Sequence, residues 1–353
     1  MKNELRTIGL LGIAVLVFGF GSLGFAQDWL AAGQGLLQAG LLWGFVCWCV
    51  SHRLDLNRAN ADAPLYKTLG WGNRLTILRG GLIALTGGFL FGNEGNIIFP
   101  AIFYTLAAIL DRLDGFAARR SKQVSLLGNE LDITFDALGL VVAPLLAISQ
   151  GKVHWSYLVL SVAYYVYQWA LQRRQRQGLA IHPVPPNPLR RTLAGFQMAF
   201  IALTLWPLLN PAFTTIASIA FMLPVLFGFA MDWWVVCGKL QANVLMSLDR
   251  LSDRYFQPAL RVLLIPLLFW VAQAHPVNHV VDIGLSIGTS LILLGVAGRL
   301  GALLLFLLLG WRMPDSLISI VLIFTISWIL LLGTGRFSFW QWDDEWVKRY
   351  DGA

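Results

Sequence analysis

Four aspartates at fixed spacing are the residues of this sequence best suited to chemistry. The chain reads Asp111-Arg-Leu-Asp114-Gly115-Phe-Ala-Ala118-Arg119, then eight residues to Gly128, three to Asp132 and three to Asp136. Residues 111, 114, 115, 118 and 119 follow the i, i+3, i+4, i+7, i+8 pattern, so they share one face of a helix. Residues 128, 132 and 136 stack along the next helix. Two antiparallel helices joined by a short basic loop therefore turn four carboxylates toward each other. Carboxylates this close raise one another's pKa unless cations neutralise them. Mg²⁺ and Mn²⁺ prefer carboxylate oxygens, and Mg²⁺ characteristically shares them with substrate phosphates. Two such ions can clamp a diphosphate while a bond to phosphorus is exchanged. Arg119 on the same face suits a phosphate bidentately, and the small Gly115, Ala118 and Gly128 leave room for a nucleotide beside the backbone. The chemistry indicated is that of a phosphoanhydride.

The elements that must position these residues are membrane helices. Of 353 residues, 57% are hydrophobic and 13% charged, where soluble domains carry about a quarter charged. Apolar runs long enough for a hydrocarbon core of about 30 Å lie near 7–25, 29–50, 75–92, 96–110, 131–149, 153–171, 192–209, 212–236, 258–273, 279–297, 299–311 and 315–333. In lipid such runs must be helices. The expectation is an all-α polytopic transmembrane bundle of about 12 spans with both termini cytoplasmic. That orientation keeps nearly every Lys and Arg inside and leaves Lys152 and Arg312 outside, as the positive-inside rule requires. The same rule accounts for the net charge of +7 without a nucleic-acid partner. A cleaved signal peptide ending near Gly24-Phe25-Ala26 is the alternative to a retained first helix.

Two polar breaks organise the chain. Residues 51–74 carry Pro64 and a Leu65-Tyr66…Leu69…Trp71 pattern that predicts a short helix at the membrane surface. Residues 238–257 interrupt the apolar pattern with Lys239, Asp249, Arg250, Asp253 and Arg254. The segments expected are a two-helix extension (1–61), a six-helix core (62–240) and a four-helix carboxy-terminal bundle (241–353).

The aspartate stretch resembles the signature of the CDP-alcohol phosphotransferases, D-x-x-D-G-x-x-A-R-x(8)-G-x(3)-D-x(3)-D, at all eight specified positions. Asn73-Arg-Leu-Thr76-Ile-Leu-Arg79 resembles the opening of that family's core, with Gly72 where proline is common. Arg190-Arg191-Thr192 followed by Gln197 resembles a stretch in members that accept phosphorylated alcohols. The resemblance spans roughly residues 70–240. It implies ligation of Mg²⁺ or Mn²⁺ (two ions) by Asp111, Asp114 and Asp132, with Asp136 shared, and Asp136 as the base that deprotonates the acceptor. Gly115, Ala118, Arg119 and Gly128 would border the CDP moiety, joined by Asn73 and Thr76. Arg79, Arg190 and Arg191 are candidates for the acceptor. The reaction implied transfers a phosphatidyl group from a CDP-linked donor, by expectation CDP-diacylglycerol, to a small alcohol with release of CMP. A CDP-aminoalcohol donor with diacylglycerol as acceptor is the alternative. The resemblance also implies a homodimer in a bacterial-type cytoplasmic membrane, with the site facing the cytoplasm.

Other residues invite weaker readings. An ion or proton transporter using intramembrane aspartates would need charges deep in several helices and an internal repeat; here the carboxylates cluster at one end and no repeat is visible. Arg79 can be read as a phosphate contact or as a side chain snorkelling to the surface. Arg173, Arg174 and Arg176 read as topology determinants. His275 and His279 lack partners at metal-ligand spacing. Cys47, Cys49 and Cys237 form neither a zinc pattern nor a disulfide framework. Trp233-Trp234, Trp340 and Trp342 read as interfacial anchors, and Asp343-Asp344-Glu345 as a solvated tail. Gly298-Arg299-Leu-Gly-Ala and Leu-Leu-Gly-Thr-Gly335-Arg336-Phe-Ser338 faintly resemble the DoxX-like membrane proteins, which implies no activity.

Overall fold

A computed structural model describes residues 1–26, 28–91, 98–185, 188–274, 279–311, 317–340, 342 and 345. The described residues are helical, with no strand beyond one isolated bridge between Val296 and Trp340. The helices are α1 (Lys2–Ala26), α2 (Trp29–His52), α3 (Gly70–Gly87), α4 (Ile98–Arg120), α5 (Leu126–Ser149), α6 (Leu158–Arg176), α7 (Pro188–Leu205), α8 (Pro211–Val236), α9 (Ala242–Leu251), α10 (Gln257–Ala274), α11 (His279–Leu294), α12 (Gly298–Trp311) and α13 (Leu317–Leu332). Among them α1, α2, α5 and α8 are long and apolar enough to cross a membrane, and shorter apolar helices follow in α7 and α11–α13. Their composition is that of an integral membrane protein.

Local chemistry sets the helix starts. Asp28 caps α2, its carboxylate accepting from the backbone N–H groups of Leu30 and Ala31. Ser125 caps α5 by accepting from Gly128 N at 3.0 Å, and Asn210 with Pro211 opens α8, each satisfying donors that a helix cannot pair internally.

One region differs from the sequence expectation. No helix forms over Leu65–Leu69; the polar break holds only a short 3-10 turn at Leu54–Leu56 before α3 begins at Gly70. The intervening chain is pinned instead. Tyr66 N donates to Asn57 O at 2.8 Å, Asn57 Nδ2 donates to Thr68 O at 2.9 Å, and Tyr66 Oη donates to Val124 O at 3.2 Å. Pro64 also disfavours helical geometry at the residue before it. Most of the second polar break is helical: α9 continues through a π-helical turn, Ser252–Phe256, into α10.

The chain divides into two compact units, residues 1–151 with 198–207 and residues 152–197 with 208–353. Each takes helices from two of the segments expected from sequence. In the first, α3 packs against α2, α4 and α5, and α1 packs on α2. Lipid tails are as apolar as leucine, so helix association in a membrane relies on close packing. Gly72 shows this directly: a Cβ there would stand 2.7 Å from the Cβ of Ala118, so α3 and α4 meet at a contact that only glycine permits. In the second unit α8 packs against α6 and α13, and α10–α13 pack on one another. Phe213 meets Phe306 edge-on at 4.8 Å, and Trp328 Nε1 donates to Ala220 O at 2.9 Å. Two arginines are buried there. Arg261 donates to the carbonyls of Thr334, Phe337 and Leu293, and Arg299 to those of Leu330 and Leu331.

Candidate active site

Three helices of the first unit build the site. α3 carries Asn73, Thr76 and Arg79 at intervals of three, a spacing that keeps them on one side of the helix. α4 carries Asp111, Asp114, Gly115, Ala118 and Arg119; α5 carries Gly128, Asp132 and Asp136. The turn between α4 and α5 is tight enough to put Lys122 at φ 53°, and the two helices present their aspartates to α3 as the spacing predicts.

The four carboxylates converge on Arg79, whose side chain is 1% exposed. Its Nη1 pairs with Asp111 and lies 3.6 Å from Asp114 Oδ2. Its Nη2 lies 2.9 Å from Asp132 Oδ1 and 3.2 Å from Asp136 Oδ1, and also donates to Asp132 O at 3.1 Å. Arg79 is thus turned inward and does not snorkel. A guanidinium this buried is tolerable only when paired and hydrogen-bonded, and one positive charge among four carboxylates leaves the cluster strongly negative.

The aspartates are not equivalent. Asp114 is buried at 6% exposure; its Oδ2 lies 2.8 Å from Thr76 Oγ1 and its Oδ1 accepts from Gly115 N at 2.6 Å. Asp111, Asp132 and Asp136 keep partial exposure, and each offers a carboxylate oxygen within 4.8 Å of those of the other two. Asp136 Oδ1 is buried beside Arg79 without an aligned hydrogen bond among the described residues. Three hard oxygen donors at this separation, one of them incompletely satisfied, fit a divalent cation of the Mg²⁺ or Mn²⁺ class.

The residues expected around a nucleotide divide into two kinds. Gly115 opens onto space: a Cβ there would meet only Arg119 Nη1, at 3.4 Å, and Arg119 is itself exposed. Ala118 packs against Gly72. Asn73 is 4% exposed, and its Nδ2 donates to Leu69 O at 2.7 Å, Asn57 Oδ1 at 3.0 Å and Ser125 Oγ at 3.1 Å. A Cβ on Gly128 would come within 2.7 Å of Asn73 Oδ1. Asn73 therefore holds the capped start of α5 against α3, and Gly128 lets the two approach.

Sequence reasoning missed two participants. Asn57, fully buried, links the polar break to Asn73; no spacing rule reaches across those sixteen positions. Tyr104 lies seven residues before Asp111, hence on the same face of α4. It is fully buried, its Oη has no hydrogen-bond partner among the described residues, and it is within electrostatic reach of Asp111 and Asp136. The i−7 relation was the available signal.

The remaining candidates belong to the second unit. Arg190 pairs with Asp232 at 2.9 Å and donates to Pro185 O at 3.2 Å; Asp232 was not singled out from sequence. Arg191 lies in α7, and its side chain is outside the described residues. Gln197 is buried between Tyr157 Oη and Phe221 O. Arg174 donates to Ala180 O at 2.9 Å and Arg173 stacks on Trp169. His275, Arg312, Asp343 and Asp344 fall outside the described residues, and His279 is exposed. The three cysteines are free.

Residues 71–230 match the sequence model of the CDP-alcohol phosphatidyltransferase family. No curated protein and no solved structure gives a match.

Proposed function

We propose, from the premise that residues 71–230 belong to the CDP-alcohol phosphatidyltransferase family, that this chain moves a phosphatidyl group from CDP-diacylglycerol to a small alcohol and releases CMP. The observation that carries the reading is the convergence of Asp111, Asp132 and Asp136 within 4.8 Å around a single buried arginine, with Asp114 behind them. Residues 62–240 would form the catalytic core, and the lysine and arginine distribution supports a site facing the cytoplasm.

Asp111, Asp114, Asp132 and Asp136 would hold Mg²⁺ or Mn²⁺, which supplies charge neutralisation for the diphosphate and for the departing CMP. Arg79 holds the four carboxylates in one place, so their geometry is set before substrate arrives. Thr76 and the Gly115 N–H orient Asp114. Gly115 leaves the backbone of α4 open to the nucleotide, and Arg119 stands beside it to meet a phosphate. Asp136 takes the proton of the acceptor hydroxyl. The alkoxide oxygen forms a bond to the phosphorus that bears diacylglycerol, the bond to the bridging oxygen breaks, and CMP leaves with that oxygen and its electron pair.

The test is CMP release from CDP-diacylglycerol by the purified protein with Mg²⁺, across a panel of alcohols. Release with one alcohol, lost on chelation and lowered about 10²–10⁴-fold in Asp136→Asn as expected for a general base, is the predicted result. Release only from a CDP-aminoalcohol with diacylglycerol would overturn the donor assignment, and no release from either donor would overturn the enzymatic reading.

A further inference from the structure

The α1–α2 hairpin lies outside the family match, yet its two helices border a sizeable open groove. A groove of about 930 Å³ runs between the two helices, and a second space of about 400 Å³ continues it past Arg6, Gly9 and Cys47. The two ends differ. Along the first space the walls are apolar, and α2 turns Gly33, Gly40 and Gly44 toward it. A Cβ at any of these three would meet nothing within 4 Å, so this face of α2 has no partner among the described residues. At the other end stand Lys2, Arg6 and Ser51. Lys2 and Arg6 are exposed and make no ion pair among the described residues. Among the described residues no carboxylate lines either space; Glu4 points elsewhere, receiving Arg74 Nε at 2.7 Å and Leu69 N at 3.2 Å. Trp43 Nε1 donates to Gly9 O at 3.1 Å, tying the helices together beside the groove.

We propose that this groove binds one anionic phospholipid, its phosphate between Lys2, Arg6 and Ser51 and an acyl chain along the glycine face of α2. Length supports the assignment. Arg6 to Val17 spans eleven helical steps, about 16 Å, which is roughly half of a hydrocarbon core of about 30 Å and hence one leaflet. Charge chooses the headgroup: two cations with no acidic neighbour match a net negative phosphate better than a zwitterion. A helix from a second copy would have to bury those cations against an apolar surface, which is costly without a counter-charge. The site depends on neither the catalytic residues nor the donor assignment.

Native mass spectrometry of the purified full chain in detergent, titrated with dioleoyl-phosphatidylglycerol or dioleoyl-phosphatidylcholine, tests it. The glycerol lipid should be retained preferentially. Each basic residue near a headgroup is worth about a fivefold change in affinity, so K2Q/R6Q together should lower retention on the order of thirtyfold, to the choline lipid's level. Gly40→Leu should expel both lipids while leaving CMP release, and thermal unfolding in lipid-free detergent, unchanged. Equal retention of the two lipids, or an unchanged preference in K2Q/R6Q, would overturn the proposal. So would an intact mass lacking the first helix, or a Gly40→Leu protein that keeps its lipid and loses a dimer.

Discussion

Both units bury arginine, and they do so in opposite ways. In the first, Arg79 is held by side-chain carboxylates that outnumber it four to one. In the second, Arg261 is held by backbone carbonyls near the ends of α11 and α13 and by the Ser338 hydroxyl. Carbonyls at a helix C-terminus carry partial negative charge and lack intrahelical donors, so Arg261 completes an arrangement that asks for nothing more. The Arg79 cluster is unfinished: its excess negative charge is reduced only if more cations arrive. A buried arginine therefore marks structure where its acceptors are neutral dipoles, and a site where its acceptors are surplus charges.

Removing Arg79 is the strongest way to break this contrast. Arg79→Leu should destabilise the metal-free protein by about 3–5 kcal/mol, as loss of one partner from a buried charge group does, and excess Mg²⁺ should recover much of it. Thermal unfolding in detergent with and without Mg²⁺ reads both; equal losses in the two conditions would contradict the account. Arg261→Met should cost about 2–4 kcal/mol by stranding buried carbonyls, with no recovery by Mg²⁺ and with CMP release intact below the unfolding midpoint. A smaller effect is expected at Asn57, which reaches the site only through Asn73. Asn57→Ala should cost about 1–3 kcal/mol by leaving buried polar groups unpaired, and should raise KM for the donor more than it lowers kcat. The last concerns Lys152, between α5 and α6, where burial lowers the ammonium pKa to about 8. The unfolded chain then binds more protons between about pH 8 and the ordinary lysine value of about 10.4, so stability should rise with pH across that window. Lys152→Met should flatten the rise and stabilise the protein at neutral pH.

The sequence made the site legible where local periodicity governs it. Asp111 and Asp114, and again Asp132 and Asp136, share faces because a helix places them there whatever else the fold does. The place of Arg79 was not legible, since a helical arginine near a charged end serves equally as a snorkel or a clamp until α4 and α5 are packed against it. Asn57 was invisible because its contacts are made by a turn, Tyr66–Leu69, whose apolar spacing mimics a surface helix. At 242–256 Asp249, Arg250, Asp253 and Arg254 break the hydropathy pattern without breaking the helix. Hydropathy likewise set α3 near residue 75, whereas Asn73 and Arg74 continue the helix back to Gly70.

The contact of Gly72 with Ala118 bears on how the site could admit a substrate. With only the Ala118 methyl between their backbones, α3 and α4 leave no slack and form one jaw of a vice, with Thr76 and Asp114 set in it. Asp132 and Asp136, about half and a third exposed by side chain, sit on the opposing jaw. A Cβ on Gly128 would come as close to Asn73, so α5 is clamped to α3 as well, and a substrate would enter a vice already set to its width.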